Sequence, residues 1–117
     1  MWTNTRAPSG KKVDALLVPA LVHTAVPHRT LKWVGYTKLW NALDYTALTF
    51  PAGKASRELD GEQPSYEPRN PLDEWVSQQY DIEKMDGFSV GLQIIGRRLE
   101  EEQVLGVAHQ IERLLWW

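Results

Sequence analysis

The stretch Gly87-Phe88-Ser89-Val90-Gly91 fits the GxSxG pattern. In many hydrolases that pattern exposes a nucleophilic serine on a strained strand-to-helix turn, beside backbone amides that hold an oxyanion. The hydroxyl also needs a base within hydrogen-bonding reach. Three histidines are available, His23, His28 and His109, so Ser89 with one of them is the first constellation to weigh. The residues after Ser89 argue against an elbow: Val90-Gly91-Leu92-Gln93-Ile94-Ile95 is a strand-type run with no helix start. His109, the only histidine after Ser89, falls on the polar side of a helix near Glu102 and Arg113, where a solvated or ion-paired imidazole is the simpler reading. His23 and His28 share a loop after a strand, a place where α/β sheets often bind ligands. They are pocket candidates, with ordinary loop histidines as the alternative, and they lack a third partner at metal-ligand spacing. No metal and no cofactor is expected.

Other clusters have plainer explanations. Glu100, Glu101 and Glu102 point in different directions on a helix and cannot converge on one substrate; they suit the positive end of the helix dipole. Six tryptophans could stack on bases or a ligand, but Trp40 belongs to an apolar helical stripe, Trp75 to an amphipathic helix, and Trp116 and Trp117 end the chain without basic neighbours. Arg97 and Arg98 are offset by the neighbouring glutamates. With 13 basic and 15 acidic residues and a net charge of −2, the chain has no basic stripe, so nucleic acid is not an expected partner.

The elements that must position these residues can be read from pattern. At 117 residues, 43% apolar and 24% charged, the chain is one globular domain or part of one. The absence of cysteine removes disulfides and thiolate chemistry and suits a cytoplasmic setting. Apolar runs are too short to span a membrane, so no membrane partner is expected. Asp14 to Pro19 reads as a strand buried on both faces. Tyr36, Leu39, Trp40 and Leu43 mark a helix from about Val34 to Tyr45, and Ala47 to Phe50 reads as a second strand closed by Pro51. Residues 51–70, rich in proline, glycine and charge, read as a long loop. Asn70 as N-cap and Pro71 at the first helical position then open a helix running to about Gln79. Ser89 to Ile95 reads as the third strand, with Phe88 and Val90 as packing candidates and Gly91 allowing close backbone approach. Val104, Ala108, Ile111 and Leu115 define a last helix. About three strands alternating with three helices indicate an α/β fold with at least part of the sheet parallel, after an irregular tail over residues 1–12.

Four segments, DALLVPA (Asp14 to Ala20), YTKLWNALDYTALTFPAG (Tyr36 to Gly53), YEPRNPLDEWVSQQYD (Tyr66 to Asp81) and GFSVGLQIIGRRLEEEQVLGVAHQIE (Gly87 to Glu112), resemble in order the C-terminal part of the amidase signature family, specifically its fungal acetamidase-like or general amidase branch. The resemblance implies part of a mixed-sheet α/β/α fold that hydrolyses carboxylic amides to acid and ammonia. It also implies catalysis by two serines and a lysine within Gly/Ser-rich sequence. No such motif occurs here: Ser9, Ser56, Ser65, Ser77 and Ser89 are isolated from one another, so no catalytic residue is assigned. The segment equivalent to Ser89 resembles a strand entry without a catalytic role. The expectation is a partial amidase domain, inactive alone, meeting a small-molecule amide only when the rest of the domain is present. The alternatives are a non-catalytic interaction module that self-associates through exposed sheet edges, and a small serine hydrolase using Ser89 and His109. A part of a domain also loses the burial its neighbours gave, which predicts marginal stability alone.

Overall fold

The computed structural model describes residues 2–115. Its centre is a three-stranded sheet of β1 (Leu16–Pro19), β2 (Ala47–Lys54) and β3 (Ser89–Ile95), in the order β1-β3-β2. Around the sheet lie α1 (Gly35–Ala42), α2 (Arg57–Asp60), α3 (Pro71–Ser77), α4 (Ile82–Met85) and α5 (Glu101–Leu115). Both pairings are antiparallel, with Leu17 opposite Ile94 on one side of β3 and Leu48 opposite Ile94 on the other. The expected parallel pairing therefore does not form. β1 and β2 do run in the same direction and are linked by a helical crossover, but β3 has inserted between them, which splits the β-α-β unit.

The third strand matches its expected bounds, and Gln93, Ile94 and Ile95 are all but fully buried in it. β1 differs from expectation. It occupies an edge, and Leu17 is 54% exposed, so it is not buried on both faces. β2 runs through Pro51 to Lys54, with an irregular register between Pro51 and Gly53. Proline is tolerated there because β2 is the other edge strand, where a missing N–H and a bulge break little pairing. The remainder of residues 51–70 also contains the helical turn α2, so that stretch is not wholly irregular. Phe88 is 53% and Val90 36% exposed, so neither is buried in the core, whereas a Cβ on Gly91 would already touch Ala20 Cβ at 3.4 Å.

α1 stops three residues short of its expected end. Asp44 takes a left-handed conformation (φ 54°), with Tyr45 N–H donating to Trp40 O at 3.0 Å and Asp44 N–H to Asn41 O at 3.2 Å. These are the paired bonds of a Schellman stop. Its apolar stripe is not buried either: Tyr36, Leu39 and Leu43 are 42%, 51% and 48% exposed, and only Trp40 turns inward to stack on Tyr45. α5 packs against β2 and β3 through Val104, which is 1% exposed and sits where a Cβ on Gly96 would be. Leu115, expected on the same arc, is 44% exposed. Residues 2–12 carry more structure than the irregular tail expected there. Trp2–Asn4 form a 3-10 turn, Arg6 bridges Lys12, and Trp2 donates to Val13 O at 3.1 Å while meeting Tyr45 edge-on. No helix among the described residues is long and apolar enough to cross a membrane.

Two substitutions test this core. Gln93 Nε2 donates to Pro19 O at 2.9 Å and Tyr36 O at 2.8 Å. Gln93→Leu removes both donors and is expected to cost about 1–3 kcal/mol in urea unfolding. Gly96→Ala drives a methyl group into Val104 and should cost a similar amount, about 1–3 kcal/mol. An unchanged midpoint in either variant would refute the packing described.

Candidate functional site

Two clefts flank α3, and local sequence explains why α3 is there. Asn70 Oδ1 accepts the N–H groups of Leu72 and Asp73, each at 3.0 Å, and Pro71 occupies the first turn, where no N–H is needed. This cap orients Asp73 back toward the preceding loop. Its Oδ2 accepts from Tyr66 Oη at 2.6 Å and from Arg69 N–H at 3.0 Å, so the loop folds over the start of α3. Asp73 holds its carboxyl below the usual carboxylate range, chiefly through the Tyr66 bond and then the Arg69 N–H. The same bond pushes the Tyr66 hydroxyl above its ordinary value, since ionising it would set two negative charges together.

The loop between β1 and α1 lies along the other side of α3. Trp75 Nε1 and Gln79 Nε2 both donate to Thr30 O, at 3.2 and 3.0 Å, and Lys32 Nζ sits 3.4 Å above the Trp75 ring. His23 Nε2 lies 2.7 Å from Val76 O. A carbonyl can only accept, so that nitrogen carries the proton and is not a free base. His28 is exposed. The two histidines do not form a shared site: His23 is fastened to α3 and lines one cleft, and His28 lines neither.

One cleft, of about 440 Å³, lies between His23, Trp33, Tyr36, Tyr66 and Arg69. The other, of about 520 Å³, lies between Val26, Trp75, Met85 and Phe88, with Asp81 and Lys84 on its rim. Both fall in the size range of small-molecule sites, with apolar and aromatic walls and a few polar groups. Asp81 and Lys84 pair at 2.6 Å. Lys84 holds the Asp81 carboxyl low, and Asp81 holds the Lys84 ammonium high. Both groups are exposed, so the pair adds little stability.

Ser89 stands apart from these clefts, in extended backbone at the start of β3 and opposite Lys54. The turn before it is closed by Gly87 (φ 79°), whose N–H donates to Ala55 O. Beyond Ser89 the chain runs on as a strand, not as the helix an elbow requires. His109 is 71% exposed on α5 and faces Glu112 at 3.5 Å. Among the described residues, no serine hydroxyl is hydrogen-bonded to a histidine, a lysine or a carboxylate; Ser77 Oγ accepts from Gln63 at 3.5 Å. No group of three or more His, Cys, Asp or Glu among the described residues is arranged to hold a metal. Glu100 precedes α5. It accepts from Arg97 N–H at 3.2 Å and pairs with the Arg97 guanidinium at 3.1 Å, leaving Glu101 and Glu102 in the first turn. Trp40 stacks on Tyr45, and Trp33 and Trp75 line the clefts. Trp116 and Trp117 lie outside the described residues.

The amidase family model matches residues 4–105, which takes in the sheet, both clefts and the first turn of α5. The chain belongs to the amidase family. It is 63% identical to Amidase 1 of Gibberella moniliformis over 98% of this chain and 22% of that protein. It is 36% identical to the acetamidase of Aspergillus oryzae over 97% of this chain and 21% of that protein. Among solved structures it resembles fatty acid amide hydrolase, with a TM-score of 0.82 and 32% identity over 91% of this chain and 19% of that one. The amidase resemblance of the four segments, including its acetamidase-like branch, is thus borne out. The chain spans about a fifth of the length of the relatives it matches.

Sequence reasoning did not single out Tyr66, Arg69, Trp33 or Lys32. The one available signal was the Asn70-Pro71 cap, which fixes where Asp73 points and hence what the loop before it can reach. The Tyr66–Asp73 bond also makes a pH prediction. A carboxyl depressed on folding adds stability above its unfolded pKa and loses it as pH falls through the folded value; a raised tyrosine adds stability below about pH 10 and loses it as pH climbs. Tyr66→Phe should therefore move the Asp73 titration midpoint upward, as read by carboxyl NMR shifts. A midpoint that stays put would show that the bond does not hold Asp73 down.

Proposed function

We propose that this chain is the C-terminal portion of an amidase that hydrolyses carboxylic amides to acid and ammonia, and that its part is to supply cleft walls rather than the nucleophile. One observation carries the reading. A chain that belongs to the amidase family along most of its length brings no serine hydroxyl to a base among the described residues. Acyl transfer to water needs a nucleophile, a proton acceptor and oxyanion donors held together, so the chain alone is inactive. The substrate is a small-molecule amide, met when the rest of the domain is present. The names of the relatives, amidase, acetamidase and fatty acid amide hydrolase, support the amide class. The cysteine-free composition supports a cytoplasmic setting.

A second reading, a non-catalytic interaction module derived from an amidase, is favoured by the free outer edges of β1 and β2 and the exposed stripe of α1. Two proteins assayed side by side separate the readings. The free chain of 117 residues should hydrolyse acetamide and an anilide no faster than the buffer blank and should take up no fluorophosphonate label. A chimera in which this chain replaces the matching fifth of Amidase 1 should hydrolyse amides. A folded but inactive chimera favours the interaction module. Turnover by the free chain that disappears in Ser89→Ala would overturn both readings.

A further inference from the structure

The molecule exposes far more surface than a chain of its mass needs to. Its accessible area is 8988 Å² at 13.4 kDa, against about 6,500 Å² for a compact monomer of that mass. Its radius of gyration is 16.4 Å, against about 13 Å for a compact domain of this length. The surplus of roughly 2,500 Å² is about three times the 800 Å² that each partner contributes to a standard interface. It is the scale of a surface meant to lie inside a larger body.

α1 identifies one part of that surface. Tyr36, Leu39, Trp40 and Leu43, at positions i, i+3, i+4 and i+7, form one stripe; Trp40 at its edge stacks on Tyr45, while Tyr36, Leu39 and Leu43 are 42%, 51% and 48% exposed. An apolar stripe covered at one edge and open over the rest is the pattern of a helix that packs against a further layer. This one is also fixed in place. Gln93 holds the Tyr36 carbonyl, Thr37 Oγ1 donates to Ala20 O at 2.9 Å, and the Schellman stop locks the far end. The stripe is therefore presented rigidly, with the ordering cost already met within the chain.

We infer that the Tyr36–Leu39–Leu43 face of α1 is the seam on which the remaining four-fifths of an amidase domain packs. The inference rests on the amidase reading, because the occupant is chosen by the relatives: this chain aligns over 98% of its length with 22% of Amidase 1, at 63% identity. A second copy burying a standard interface would leave most of the surplus exposed.

Because the chain contains no cysteine, a single introduced thiol reports the seam. Leu39 and Leu43 are exposed here, so Leu39→Cys and Leu43→Cys leave the free chain folded and open to a maleimide. In the Amidase 1 chimera, mass spectrometry of the same peptides should show labelling slowed about tenfold or more, as for a site reached only by local opening. His109→Cys, on the polar side of α5, should label readily in both. Protection in a folded but inactive chimera supports the seam while removing the amide-hydrolysis reading. An active chimera with Leu39→Cys and Leu43→Cys still freely labelled overturns the seam and leaves that reading standing. Protection already present in the free chain that disappears on dilution assigns the face to a second copy and also overturns the inference.

Discussion

Gln93 sits in the middle of β3 with 1% of its surface exposed, in a strand that is otherwise apolar from Val90 to Ile95. An amide placed there without partners would cost roughly 2–7 kcal/mol. Both of its donor hydrogens are used, one on Pro19 O at the end of β1 and one on Tyr36 O in the first turn of α1. One side chain thereby fixes where β1 ends and where α1 begins, and the loop between those points becomes a span with two set ends. That loop carries His23, Thr30, Lys32 and Trp33, the residues that meet α3 or line the clefts. The shape of the clefts is thus a consequence of how a buried polar group in the central strand is satisfied.

The parts of this fold that depend on neighbours in sequence were legible, and those that depend on neighbours in space were not. β3 reads correctly because seven residues of strand pattern are bounded by Gly87 and Gly96. The start of α3 reads correctly because Asn70 and Pro71 cap a helix through local geometry alone. The continuation of β2 through Pro51 was hidden, because proline ends a central strand but not an edge strand, and only the sheet order decides which one β2 is. The same order hid the pairing: β1-α1-β2 carries every mark of a parallel unit until β3, some thirty-five residues further on, takes the place between them.

The candidate site was less legible, for a related reason. Its defining contacts join residues far apart in the chain: His23 to Val76, Thr30 to Trp75 and Gln79, Lys32 to Trp75. Single-sequence patterns carry no information on such pairs, and the histidines could only be placed in a loop. The exception is Tyr66–Asp73, seven residues apart. There the cap at Asn70 turns Asp73 toward the chain it succeeds, and a proline-rich stretch with no regular pattern becomes a lid over a helix start.

The stripe of α1 is the most informative case, because its period was read correctly while its burial lay outside what a period can report. Tyr36, Leu39 and Leu43 do share one face, and that face is open. Periodicity reports which residues want burial; it does not report whether this chain contains what buries them. An apolar fraction of 43% is ordinary for a globular domain, yet full burial is confined to a small set around β3, Val104 and Met85. Composition here is matched to a core larger than these residues can enclose. The same logic governs Ser89. GxSxG specifies three residues of a turn whose function depends on a helix behind it and a base beside it, and Ser89 has a strand behind it and Lys54 across from it. In both cases the local pattern is real, and the surroundings decide what it is for.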